Sequence, residues 1–177
     1  MGNRFRYKLD KRCRYYTAGT IVLTIAIFAV LCFSTVSGYL PAWFLSIALA
    51  LIALCMLSIP RFVRTTSEAV EIHCLVEITV IPVEEIRSVR PVTQQELRRI
   101  YLLLGAYGFF GYFGYYLDLN NWDIVKVYAS SWNYNQLVMI EDIYEQRYLI
   151  SATQPAELCA SIEKRRLAHR SRESQAI

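Results

Sequence analysis

The sequence predicts a membrane-anchored α+β fold, in which an N-terminal transmembrane helical hairpin precedes a small antiparallel β-barrel or split sandwich capped by a C-terminal α-helix. Three observations carry this expectation. Residues 17–60 form an unbroken run of 44 without Asp, Glu, Lys or Arg. From Arg61 onward, continuous apolarity gives way to short runs in which apolar and polar residues alternate, the period of a strand with one buried face. After Pro155 the apolar positions take a helical spacing.

Composition agrees. Of 177 residues, 55% are hydrophobic and 19% charged, against roughly 45–50% and ~25% in soluble globular chains. The net charge of +4 is unevenly spread: residues 1–16 hold six basic residues and one acidic, whereas residues 61–177 hold 13 basic and 14 acidic. A basic segment (1–16) therefore precedes two spans (17–59), a near-neutral domain (60–166) and a polar tail (167–177).

A bilayer core of ~30 Å takes ~20 helical residues, so the charge-free run is about twice one span. Its break falls at Ser34, Thr35, Val36, Ser37, Gly38, Tyr39, Leu40 and Pro41, where small polar residues meet Gly and Pro. The spans are then residues 17–37 and 41–59. Pro41 suits a first helical turn, and Tyr39 and Trp43 suit the membrane-water interface. Arg4, Arg6, Lys8, Lys11, Arg12 and Arg14 precede the first span, Arg61 and Arg64 follow the second, and the turn carries no base. The positive-inside rule then predicts a multi-pass protein of the cytoplasmic (inner) membrane with both termini cytoplasmic. Arg12, Arg14, Arg61 and Arg64 become juxtamembrane contacts for lipid headgroups. A cleaved signal peptide fits less well, because the apolar stretch is long and Thr35-Val36-Ser37 is a poor small-residue cleavage site. Gly2 is a poor myristoylation site, because Arg occupies position 6.

The cysteines, Cys13, Cys32, Cys55, Cys74 and Cys159, are odd in number, scattered and without a CxxC pair. That spacing suits neither a disulfide framework nor a zinc site.

In the domain, Val70, Ile72, Cys74 and Val76 alternate with Glu71, His73 and Leu75, and the run 77–81 stops at Pro82. Residues 83–92 offer Ile86, Val89 and Val92 around Arg87 and Arg90. Further strands are expected at 123–128, 136–141 and 146–151, giving six or seven in all. The closing helix starts at Pro155, with Glu157 in its first turn and Lys164, Arg165 and Arg166 in its last. Leu158 and Ile162 share the face that plugs the sheets, and residues beyond about 167 are expected to fray.

Three segments carry a resemblance: Ile81-Pro82-Val83-Glu84-Glu85-Ile86-Arg87-Ser88-Val89, Gly108-Phe109-Phe110-Gly111-Tyr112-Phe113-Gly114, and Tyr148-Leu149-Ile150-Ser151 before a Pro-initiated helix. Behind two spans, they resemble the membrane-anchored bacterial pleckstrin-homology (PH)-like proteins over residues 61–166. The resemblance implies a seven-stranded PH fold capped by the helix, and no particular activity.

Residues 100–117 carry eight aromatics, four glycines and no charge. Three readings stand open. A third span fits the length, although Gly105, Gly108, Gly111 and Gly114 would each cost a helix ~1 kcal/mol relative to Ala. An irregular strand or loop would put the rings in the core. A sticky surface would present Phe109, Phe110, Tyr112, Phe113, Tyr115 and Tyr116 to headgroups or to a neighbouring subunit.

Chemistry is sparse. His73 and His169 are far apart in sequence, Glu84 and Glu85 would point to opposite sides of a strand, and Asp118 and Asp123 flank a turn with Asn120 and Asn121. No catalytic set, metal cluster or cofactor loop is expected; neither GxGxxG nor a Walker-type lysine occurs. Phosphoinositide binding is disfavoured, because the first hairpin loop reads Thr65-Thr66-Ser67-Glu68 and holds no base. Nucleic-acid binding is not expected, since topology accounts for the basic cluster. The expected function is a non-catalytic interaction or self-assembly module at the cytoplasmic face. Its partners would be the bilayer and either a second copy, forming a homo-oligomer, or an unidentified protein. The alternative is a subunit of a membrane enzyme or transporter whose site a partner completes.

Overall fold

The computed structural model describes residues 3–6, 10–33, 39–57, 60–74 and 78–175. The predicted helical turn at 34–38 and the strand residues 75–77 lie outside the described residues.

The chain opens with a short strand, β1 (Asn3–Arg6), inside the segment expected to be only a basic leader. Helix α1 (Lys11–Phe33) then starts six residues before the charge-free run, behind Asp10, whose residue type favours the N-cap position. Val22, Leu23, Ile25, Val30 and Phe33 are exposed along it. Helix α2 (Leu40–Leu57) packs against α1, and its Trp43, Ile47, Leu49 and Leu51 are exposed as well. Among the described residues, α1 is the one helix long and apolar enough to cross a membrane; the apolar stretch Leu40–Ala53 of α2 is shorter.

Strand β2 (Pro60–Thr65) follows and pairs antiparallel with β1, Asn3 opposite Thr65 and Arg6 opposite Phe62. The strands on either side of the two helices are therefore neighbours. Next come β3 (Ala69–Cys74), in which every second residue is buried, and β4 (Ile78–Pro82). The four form one sheet in the order β1-β2-β3-β4.

The second sheet has six strands: β5 (Ile86–Pro91), β6 (Ile100–Tyr107), β7 (Tyr112–Asp118), β8 (Asp123–Ala129), β9 (Leu137–Asp142) and β10 (Arg147–Ser151). Their order is β5-β9-β10-β8-β7-β6. Pro82 and the 3-10 turn Val83–Glu85 precede β5, so the predicted strand at 83–92 begins later than expected. A four-residue helix, α3 (Gln94–Leu97), separates β5 from β6; Thr93 caps it and Glu96 closes the capping box.

The all-antiparallel expectation fails at one pair, because β10 runs parallel to β8. The 17 residues between them carry the chain out through β9 and back, which is enough for a parallel crossover. At the β9–β10 turn the buried Asp142 accepts hydrogen bonds from the Tyr144 and Gln146 amides at 2.9 and 2.8 Å, so its carboxylate is satisfied locally.

Helix α4 (Pro155–Gln175) continues through most of the segment expected to fray, where Ala168, Arg170, Arg172 and Glu173 are ordinary helix formers. Leu158 and Ile162 are fully buried, as their spacing predicts. They join Val63, Val70 and Ile72 of the first sheet and Val138, Ile140 and Ile150 of the second in one apolar cluster. A second cluster includes Val125 and Val127 of β8 together with Leu137, Met139 and Leu149, residues of β9 and β10 that face the other way. The uninterrupted run Leu137-Val138-Met139-Ile140 is the sequence trace of a strand buried on both faces.

Candidate functional site

Residues 100–117 are not a helical span; they build the hairpin β6–β7 at one end of the six-stranded sheet. Gly105 and Gly114 face each other across it with φ of 142° and 112°. A Cβ on Gly105 would collide with the Phe113 carbonyl, and one on Gly114 with the Leu104 carbonyl. The backbones can approach this closely only because both positions lack side chains.

Burial divides the six aromatics that the surface reading groups together, sending three of them to the core as the strand reading has it. Tyr112, Phe113 and Tyr116 are 2%, 4% and 0% exposed, Phe109 and Phe110 are half-buried at the hairpin tip, and Tyr115 is exposed. A paired strand sends neighbouring side chains to opposite faces, so consecutive aromatics cannot share one surface. The exposed set includes residues the sequence did not single out: Tyr101, Leu102, Leu103 and Leu104 on β6, with Trp122 and Ile124 nearby in the chain. Strand β6 is the outer strand of its sheet, so its outer backbone edge is unpaired within the described residues.

The inner face of this hairpin meets the foot of α1. Tyr116 and Trp132 stack with ring centroids 5.4 Å apart, Tyr112 lies 5.1 Å from Trp132, and Tyr107 packs edge-on to Tyr112 at 5.0 Å. The Tyr116 hydroxyl donates to the Ala106 carbonyl at 2.6 Å. Burial pushes the phenols of Tyr112 and Tyr116 well above the ordinary tyrosine range. Tyr107 is raised less, again mainly by burial, with Arg12 pulling the other way.

Cys13 of α1 is fully buried in this cluster. The Asp10 amide donates to the Ser130 carbonyl at 3.1 Å, and the Phe110 amide donates to the Thr17 hydroxyl at 2.9 Å. Gly108, with φ of 80°, leaves room for the Tyr16 ring; a Cβ there would lie 3.1 Å from Cδ2. The first turns of α1 are thus seated on the β6–β7 tip and on the loop after β8.

Beside this joint opens a cleft of about 980 Å³. Asp10 lines it from just before α1 and Arg12 from its first turn, Gln94 and Arg98 from α3 and its end, Tyr107 from β6, and Trp132 and Asn133 from the β8–β9 loop. The four predicted headgroup arginines do not converge. Arg12 lines the cleft, Arg14 lines a separate depression with Lys11 and Tyr15, and Arg61 and Arg64 lie exposed on β2.

The remaining polar candidates have local explanations. His73 contacts Glu71 at 2.9 Å and stacks on Phe62, whereas His169 lies on α4. Glu84 and Glu85 sit on a 3-10 turn rather than a strand. Asp118 and Asp123 are brought together, but around Arg147, whose two terminal nitrogens reach them at 3.2 and 3.1 Å. The guanidinium already supplies the cation there. Among the described residues no group of three His, Cys, Asp or Glu side chains converges to hold a metal ion. The loop at residues 65–68 holds no base, but Lys164 and Arg165 of α4 line a cleft with its Ser67, a juxtaposition that loop composition alone does not reveal.

Neither the curated proteins nor the solved structures include a match to this chain. The sheets, the closing helix and the sequence agree on one assignment: residues 62–166, more than half of the chain, match the family described as bacterial PH domain, and the chain belongs to that family.

Proposed function

We propose that this chain is an integral protein of the cytoplasmic membrane, whose α1–α2 hairpin holds the PH domain at the cytoplasmic face as a non-catalytic interaction or self-assembly module. The pairing of β1 with β2 carries the reading. A strand before α1 and a strand after α2 share one ladder, so the two ends of the hairpin belong on one side of any bilayer that the helices enter. The exposed apolar side chains of both helices and the bases at both cytoplasmic ends support it. The unpaired, uncharged β6 edge supports interaction, because soluble proteins normally cover or charge such strands.

Reporter cysteines test the topology. Tyr39→Cys in the connection and Lys164→Cys on α4, in a chain otherwise free of cysteine, are exposed to a membrane-impermeant maleimide in spheroplasts. The expected result is labelling of position 39 from outside and of position 164 only after permeabilisation. Labelling of position 164 in intact spheroplasts overturns the topology. A strict monomer in mild detergent and in nanodiscs removes self-assembly and leaves a different protein as the partner.

A further inference from the structure

We infer that the cleft between the foot of α1 and the α3–β6 corner binds the phosphate of an anionic phospholipid from the surrounding leaflet. This rests on the membrane reading above, and it assigns that surface a ligand.

Charge is the first argument. Arg90, Arg147 and Arg166 each pair with a carboxylate, whereas among the described residues Arg12 and Arg98 have no ion pair. They line one cleft from two elements, against the single carboxylate of Asp10. Guanidinium groups match phosphate oxygens in geometry as well as in charge. Gln94 and Asn133 add amide donors, and Trp132 is the amphipathic side chain suited to a headgroup layer.

Depth is the second. The charge-free run begins at Thr17, five residues after Arg12. At ~1.5 Å per residue, Arg12 lies ~7.5 Å below the start of the apolar segment. The polar layer on each side of a bilayer is roughly 5–7 Å thick, so the Arg12 backbone stands at its outer edge, within a side-chain length of the phosphates. A cleft of about 980 Å³ exceeds what a bare phosphate fills and has room for a headgroup with its glycerol. It shares no lining residue with the cleft beside Ser67.

A free phosphate offers the same chemistry, so the test separates the sources. The full chain is reconstituted into phosphatidylcholine nanodiscs and also examined by native mass spectrometry in detergent, with phosphatidylglycerol or phosphatidylcholine added. Failure to enter nanodiscs refutes the membrane reading itself; entry without preference between the lipids overturns the cleft alone. The expected result is retention of a single phosphatidylglycerol per chain. Arg12→Gln with Arg98→Gln should weaken it about tenfold or more, the scale of a lost charge-assisted hydrogen bond, and Arg12→Lys with Arg98→Lys should restore part of it. Arg14→Gln with Arg61→Gln, outside the cleft, should change it by less than about twofold, the scale of screened surface charge. Equal weakening in both glutamine pairs would mean diffuse attraction and sink the assignment. Displacement of the lipid by millimolar inorganic phosphate would overturn the lipid source.

Discussion

The six-stranded sheet carries an apolar cluster on each face, and only one of them buries tyrosines and a residue of α1. The buried members of the cluster toward the first sheet and α4 are Val, Ile, Leu, Ala and Cys of the matched PH-domain residues, with the half-buried Tyr128 and Tyr148 at its margin. The opposite cluster contains Tyr112 and Tyr116, packs against Trp132, and takes in Cys13, which belongs to α1 and lies outside that match. The first core closes within the domain. The second closes only when the foot of the apolar helix is in place, so the domain's orientation relative to that helix is fixed by packing rather than left to a linker. The Asp10–Ser130 and Thr17–Phe110 hydrogen bonds set the same joint.

Breaking the first core should produce the largest effect. Ile140 is fully buried between the sheets, and Ile140→Ala removes three methyl or methylene groups from a site with little freedom to collapse. The expected loss is about 2–5 kcal/mol, read from unfolding of the full chain in mild detergent by tryptophan fluorescence. A loss below about 1 kcal/mol would mean that the space between the sheets relaxes easily, and the contrast between the cores would not stand.

The second core is sharpened by its hydroxyls. Tyr116→Phe leaves the Ala106 carbonyl without its donor in a buried setting, at an expected cost of about 1–3 kcal/mol. Alkali should reach this core too. Burial raises the Tyr112 and Tyr116 phenols above their ordinary range, so above about pH 10 the unfolded chain binds fewer protons than the folded one. Stability is unaffected by these groups below that pH and falls as pH rises through it. In Tyr116→Phe the fall should be shallower, measured as the change in unfolding free energy between neutral and alkaline buffer. An identical alkaline slope in both chains would assign the loss to other groups.

What was legible in the sequence follows the same division. The alternation at Val70, Ile72 and Cys74, the solid run Leu137-Val138-Met139-Ile140, and the pairing of Leu158 with Ile162 each repeat within a few residues, and the first core is assembled from them. The second core depends on distant juxtapositions. Glycines spaced by three conform to neither strand nor helix period, and their role becomes visible only once Gly105 is set opposite Gly114. Cys13 stands among bases, and that charged setting says nothing of burial. Arg12 and Arg98 meet at one cleft although 86 positions separate them. The parallel β8–β10 pair has no local signature, because strand direction is set by the path between them.

The finest test addresses the joint itself. Thr17 sits where the bases end and the apolar run begins, and its hydroxyl accepts from the Phe110 amide at 2.9 Å while facing the Gly108 carbonyl at 3.5 Å. Thr17→Val keeps the shape and removes both contacts. The cost should be about 1 kcal/mol, or roughly fivefold faster amide hydrogen exchange at Phe110. Exchange at Ile140, in the core closed within the domain, should not change. If the two amides accelerate together, helix and domain open as one cooperative unit and the two cores are a single stability element. If only Phe110 responds, the joint opens while the domain stays folded, and the hairpin tip with its half-buried Phe109 and Phe110 is the place where the domain parts from α1.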